Sequence, residues 1–200
     1  MSYILKILLI TVTLLSLNAC VSSNFFVLST ASQPTATYEQ KRGVIGVEKV
    51  VVPKYLFQRE LAVAKSSSQV TFLSGATWAE DLNDGLTHRL ISFFQKKFNQ
   101  PNVYAYPWDV SRQPDIKVNV QVSRFIAQGG KVYLDVTWEL ENMRTHKRKA
   151  KLFSTTVPTS SDASAIVDAM DKAFTQLEED VAFGIKKFST WKLFSIRLKI

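Results

Sequence analysis

Ile116-Lys117-Val118-Asn119-Val120-Gln121-Val122-Ser123 alternates apolar and polar side chains without a break. Successive side chains of a strand point to opposite faces, so this is a strand with one face buried and one in water. Gly129-Gly130 follows, a pair suited to the positive φ angles of a tight hairpin. Beyond it Val132, Leu134, Val136, Trp138 and Leu140 alternate with Tyr133, Asp135, Thr137 and Glu139. A polar turn over residues 142–146 leads to a third run at 149–157. Three runs joined by short turns predict an antiparallel meander.

Working outward, the C-terminal side predicts a long helix. Ser161 and Asp162 offer N-caps and early negative charge. Ile166, Met170, Phe174, Leu177, Val181, Ile185 and Phe188 then form an apolar stripe at helical spacing. On the N-terminal side a second helix is expected from Trp78. Thr77 and Glu80 have capping-box spacing, and Leu82, Leu86, Leu90, Phe94 and Phe98 recur every fourth residue until Pro101. Short strands are expected at 25–28, 43–52, 61–64, 69–73 and 103–108, the second ending at Pro53, which lacks an amide donor. The order of elements predicts a single α+β domain with an antiparallel or mixed sheet and two long helices packed on one face.

The N-terminus carries a different signal. Lys6 precedes a mostly apolar run over residues 7–17, and Asn18-Ala19 leads to Cys20, the only cysteine. This is the layout of a secretory signal with a cysteine just after the cut. It resembles the bacterial lipobox, in which the thiol is acylated and becomes the new N-terminus. The run falls short of the roughly 20 residues that span a bilayer. The expected organisation is therefore a signal peptide over 1–19, a lipidated tether over 20–24, a domain over 25–190 and an amphipathic tail over 191–200. Removing 1–19, which carries only Lys6, leaves 181 residues with a side-chain charge of +7. No disulfide can form within the domain, so its stability rests on packing. The positive charge suits anionic headgroups or an acidic partner, and equally a solvated face that keeps the protein soluble. Nucleic acid is not an expected partner for an exported chain.

No catalytic constellation is legible. His88 and His146 are far apart and have no cysteine partner in the domain, so neither a catalytic nor a metal site is expected. There is no nucleophile elbow and no phosphate-binding glycine loop, and no cofactor is expected. Glu80-Asp81 reads as helix capping, and Glu178-Glu179-Asp180 as a solvated helix face. An enzyme would have to draw on Glu80, His88 or Asp135.

Two surface candidates remain. The run from Arg144 through Lys147, Arg148 and Lys149 to Lys151 reads either as a charged, aggregation-resistant edge or as a contact for headgroups or an acidic partner. In the tail, Phe194, Ile196, Leu198 and Ile200 alternate with Ser195, Arg197 and Lys199. That pattern fits a strand added to the sheet, covering the domain's own core or, with Trp191, docking on a membrane or a neighbouring subunit.

A family resemblance runs through these elements. Ile45-Gly46-Val47, Val52-Pro53-Lys54-Tyr55-Leu56, Arg59-Glu60-Leu61, Trp78-Ala79-Glu80-Asp81-Leu82 and Tyr106-Pro107-Trp108 occur in that order. Together with Phe25-Phe26-Val27-Leu28 and the late helix, they resemble the PqiC family to about Phe188. These are ABC-type transport auxiliary lipoproteins that accompany MCE-domain lipid transporters. The resemblance implies a non-enzymatic periplasmic subunit, lipid-anchored through Cys20 at the outer membrane of a Gram-negative bacterium. It implies an MCE-domain protein as partner, a homo-oligomer, and a role in phospholipid movement and envelope integrity. Val21, rather than Asp, after the cysteine fits outer-membrane sorting. The alternative is a structural or assembly lipoprotein of the outer membrane, unrelated to lipid transport.

Overall fold

A computed structural model of the chain describes residues 3, 24–31, 33–38, 43–108 and 113–196. The expected signal peptide and Cys20 thus lie outside the described residues, apart from Tyr3. The meander is the centre of the fold: β6 (Ile116–Gln128), β7 (Lys131–Asn142) and β8 (Arg148–Pro158). β6 and β7 pair antiparallel from Ile116↔Asn142 to Gln128↔Lys131, and β7 pairs β8 in the same sense. Gly129 and Gly130 turn between them at φ 56° and 75°, values that cost a residue with a Cβ.

The inward residues are those of the alternation. Val118, Val120, Leu134, Trp138 and Leu140 are all buried. The alternation in β6 breaks at Ser123, where the register with β7 shifts between Val122 and Arg124. This bulge inserts one residue and swaps the faces, so Phe125 rather than Arg124 enters the core.

The remaining strands are short: β1 (Asn24–Phe26), β2 (Ile45–Val47), β3 (Glu60–Ala64), β4 (Val70–Trp78) and β5 (Val103–Ala105). One edge of β6 hosts two of them. β2 lies parallel along its start, at Ile45↔Ile116, and β3 along its end, at Val63↔Ala127. β4 pairs antiparallel to β3, β1 pairs parallel to β4, and β2 also takes β5. The result is one open, mixed eight-stranded sheet, the expected α+β class. The expected strand over 43–52 is interrupted: β2 ends at Val47, and the chain returns to β6 only at a bridge between Val51 and Gln121. At the interruption the Val50 amide donates to Thr87 Oγ1 at 2.9 Å, tying the break to a helix.

That helix, α1 (Leu82–Lys97), starts later than the capping box predicts. Thr77 and Trp78 belong to β4 instead. The Trp78 amide donates to the Arg59 carbonyl at 2.6 Å and the Ala79 amide to the Phe26 carbonyl at 2.8 Å. Sheet hydrogen bonds claim the segment, and Asp81 takes the N-cap position. The expected stripe holds: Leu82, Leu86, Leu90, Phe94 and Phe98 are buried, with Phe93 beside them. Burying each large apolar side chain contributes about 1.5–3 kcal/mol.

The second helix, α2 (Ala163–Ile196), is capped as expected, the Ala165 amide donating to Asp162 Oδ2 at 3.1 Å. Its stripe from Ile166 to Ile185 is buried. The strand expected from the alternation of the tail is not formed as far as Ile196, because α2 runs on unbroken to that residue. Extending a formed helix adds a hydrogen bond for each residue fixed, which outweighs a short alternating pattern with no strand to pair.

Candidate functional surface

The three consecutive acids of α2 are not a solvated face. Each pins a different element. Glu178 is fully buried and accepts from Arg89 Nε at 3.1 Å. Glu179 pairs at 2.6 Å with Lys97, which is itself buried at the end of α1. Asp180 accepts from Trp138 Nε1 at 2.9 Å and pairs with Lys151 of β8. The solvated reading fails because α2 buries more than one stripe: α1 packs on one flank and the sheet on another. The residue that sequence reasoning missed is Arg89, which sits one position from the exposed His88. Its offset from Leu86 and Phe93 by three and four places marked it as inward-facing.

Around Arg89 the polar groups are satisfied. The guanidinium also reaches Asp171, Thr175 Oγ1 at 2.8 Å and the Leu28 carbonyl at 3.4 Å, and stacks 5.5 Å from the Phe174 ring centroid. Burial pushes the Glu178 carboxyl up to about 7, against the pull of Arg89. This cluster locks α1 to α2.

The groups an enzyme would need do not converge. His88 is exposed on α1, His146 lies in the β7–β8 turn, and Asp135 is paired with Arg124 at 2.6 Å. The Glu80 carboxylate folds over Gly85, where a Cβ would come within 2.9 Å of Oε1. Among the described residues no group of three His, Cys, Asp or Glu could hold a metal ion.

The basic run gathers at one end of the sheet. Arg144 and Lys147 are exposed in the β7–β8 turn, and Arg148 and Lys149 open β8. Arg148 lies 3.4 Å from Glu141, whose carboxyl is held low by Lys117 first and also by His146 and Arg148. Lys149 and Lys151 project from β8 toward α2. Between them and α2 lies an open groove of about 210 Å³ lined by Trp138, Lys149, Lys151, Asp180, Phe183, Gly184 and Lys187. Gly184 is required there, since a Cβ would sit 2.5 Å from Trp138 Cη2. The structure therefore brings two stretches that looked separate in sequence, Lys149 and Lys151 of the basic run and the Asp180–Lys187 part of α2, onto one surface. The contact role expected of the Trp191 and Phe194 side chains lies outside the described residues.

β1 pairs with the last residues of β4, Ala76–Trp78, beside Glu60 at the start of β3. β1 runs antiparallel to β6, through β4 and β3, so the chain enters β1 from the side of the Gly129-Gly130 hairpin. The basic turn lies beyond the other end of β6, whose 13 residues extend about 40 Å. Among the described residues no helix is long and apolar enough to cross a membrane.

A single α+β domain built on an open, mixed eight-stranded sheet, without an assembled catalytic cluster among its described residues, is the class that the fold defines. The profile of the family described as ABC-type transport auxiliary lipoprotein component matches residues 26–182. The chain belongs to that family. Two solved structures share its fold. One is the crystal structure of an uncharacterized protein, at 19% identity and TM-score 0.68, covering 82% of this chain and 99% of the other. The second is protein XCC0632 from Xanthomonas campestris, at 17% identity and TM-score 0.68, covering 80% and 93% respectively. No curated protein matches the chain. At the level of the family, this is an auxiliary lipoprotein of ABC-type transport.

Proposed function

We propose that the chain is the non-enzymatic, lipid-anchored subunit of an MCE-type intermembrane phospholipid transport system. Acylated Cys20 holds it at the periplasmic face of the outer membrane, and the domain docks the MCE protein that arrives from the inner membrane, supporting envelope integrity. Several copies assemble as a homo-oligomer around that partner. Family membership carries this reading. The polarity of the fold supports it. Cys20 lies four residues before Asn24, a reach of at most about 14 Å. That tethers the hairpin end near the bilayer and turns the basic end outward. The test is affinity purification of the full-length lipoprotein from membranes in mild detergent. An MCE-domain protein should co-purify. Its absence, while a control envelope complex survives the same detergent, overturns the proposal.

A further inference from the structure

β8 closes one side of the sheet and pairs only with β7 among the described residues. Its 11 residues face β7 in continuous register from Lys131↔Pro158 to Glu141↔Arg148. An open edge of this length is a template for another strand, because its outward amides and carbonyls are unpaired. The edge is polarised: β8 carries Arg148, Lys149 and Lys151 and no acid. Parallel, in-register pairing of two copies through this edge would bring these like charges opposite each other, whereas an acidic strand would meet them with opposite charge.

Beside the edge lies the groove under α2. Phe183 is 45% exposed there and the Lys187 ammonium sits 4.3 Å from its ring centroid. Lys151 is committed to Asp180. Lys149, two residues along the same face, has no ion-pair partner among the described residues. A strand laid along β8 would place alternate side chains on this face. On the other face Leu152 is 79% exposed.

We propose that the β8 edge takes up an extended acidic segment of a partner protein as an added strand, with a carboxylate on Lys149 and an apolar side chain resting on Phe183. Main-chain hydrogen bonds supply affinity and the lysine face supplies selectivity. The choice of a protein over the bilayer rests on the proposed anchor at Cys20, which turns this end away from the membrane.

The test uses the full chain in detergent and a labelled (Glu-Val)5 peptide. Controls are (Lys-Val)5 and a (Glu-Val)5 variant with a central proline. Saturable binding of (Glu-Val)5 is expected, weakened by salt and about tenfold by Lys149→Glu, with slowed hydrogen exchange at β8 amides. (Lys-Val)5 and the proline variant should not bind. Absence of (Glu-Val)5 binding overturns the proposal. So do equal binding of the proline variant, unchanged β8 exchange, or indifference to Lys149→Glu. Self-association through β8, or Lys149-dependent binding of the Cys20→Ala chain to phosphatidylglycerol vesicles without peptide binding, overturns it in favour of a second copy or a bilayer. An MCE protein that co-purifies with a chain indifferent to the peptide refutes this inference alone. Peptide binding by a chain that recovers no MCE protein refutes the proposed function alone.

Discussion

Arg89 Nε lies 3.1 Å from Glu178 Oε1, with both side chains wholly removed from solvent. The pair joins α1 to α2 through the middle of the helical layer. A buried charge is tolerated only while its partner and hydrogen bonds remain, so the energetic weight of this pair shows when it is broken rather than in its net contribution.

Arg89→Met should therefore cost about 3–5 kcal/mol above pH 7, where Glu178 is ionised in the parent and would be left buried without its counter-charge. The double variant Arg89→Met, Glu178→Met removes both charges and should recover most of that loss. Urea unfolding of the four corners of the cycle measures the coupling. A double variant as unstable as Arg89→Met would show that packing, not charge, is at stake.

Glu178 also sets a pH dependence. Its folded pKa of about 7 stands above the usual 4.5 of a solvated glutamate. Between those values the native chain holds a proton that the unfolded chain has lost. The contribution of Glu178 to stability is then present at low pH and is lost as pH rises through this window, at up to about 1.4 kcal/mol per pH unit. Glu178→Gln should flatten the slope of unfolding free energy against pH between 4.5 and 7. An unchanged slope would assign the dependence elsewhere.

Gly184→Ala should destabilise the domain by about 1–3 kcal/mol, the usual cost of overpacking a core. The added methyl would lie 2.5 Å from Trp138 Cη2. The rigid indole is tied to the same helix, one turn earlier, by the hydrogen bond from Nε1 to Asp180. Thermal unfolding reads the loss, and Trp138→Phe in the Gly184→Ala background should relieve part of it.

Cys20→Ala tests the proposed anchor. The variant should leave the membrane fraction while its unfolding midpoint in urea stays where it was, since the thiol precedes every strand of the domain. Retention in the membrane to the same extent as the parent would remove the lipid from the account.

Asp162→Ala should cost about 1 kcal/mol, the typical loss of an N-cap. Its carboxylate accepts from the Ala165 amide at 3.1 Å, and Ser160 Oγ accepts from the Asp162 amide just before it. Chemical denaturation of the variant measures the cost.

The meander was legible because alternation over Ile116–Val122 and Val132–Leu140 is a local consequence of strand geometry. The stripes of both helices were legible for the same kind of reason. The start of α1 was not: Thr77 and Glu80 carry a cap signal, but the hydrogen bonds that override it go from Trp78 to Arg59 and from Ala79 to Phe26, partners distant in sequence. The end of α2 misled in the other direction, since alternation over a few residues carries less weight than a helix already under way.

The sequence by itself determined what local chemistry determines: the α+β class, the hairpin at Gly129-Gly130, the Asp162 cap and the family pattern in which these occur. Tertiary structure alone decided where charge goes. Nothing within Glu178-Glu179-Asp180 says that one acid meets Arg89 in the core, the next Lys97 and the third Trp138 and Lys151. Those partners lie 29 or more residues away and converge only when α2 is laid across α1 and the sheet. The same packing gathers Lys149 and Lys187 on one surface and leads the chain into β1 from the hairpin side of the sheet. Charge acts through space, so the chain's basic character acquires a direction only once the fold has fixed those distances.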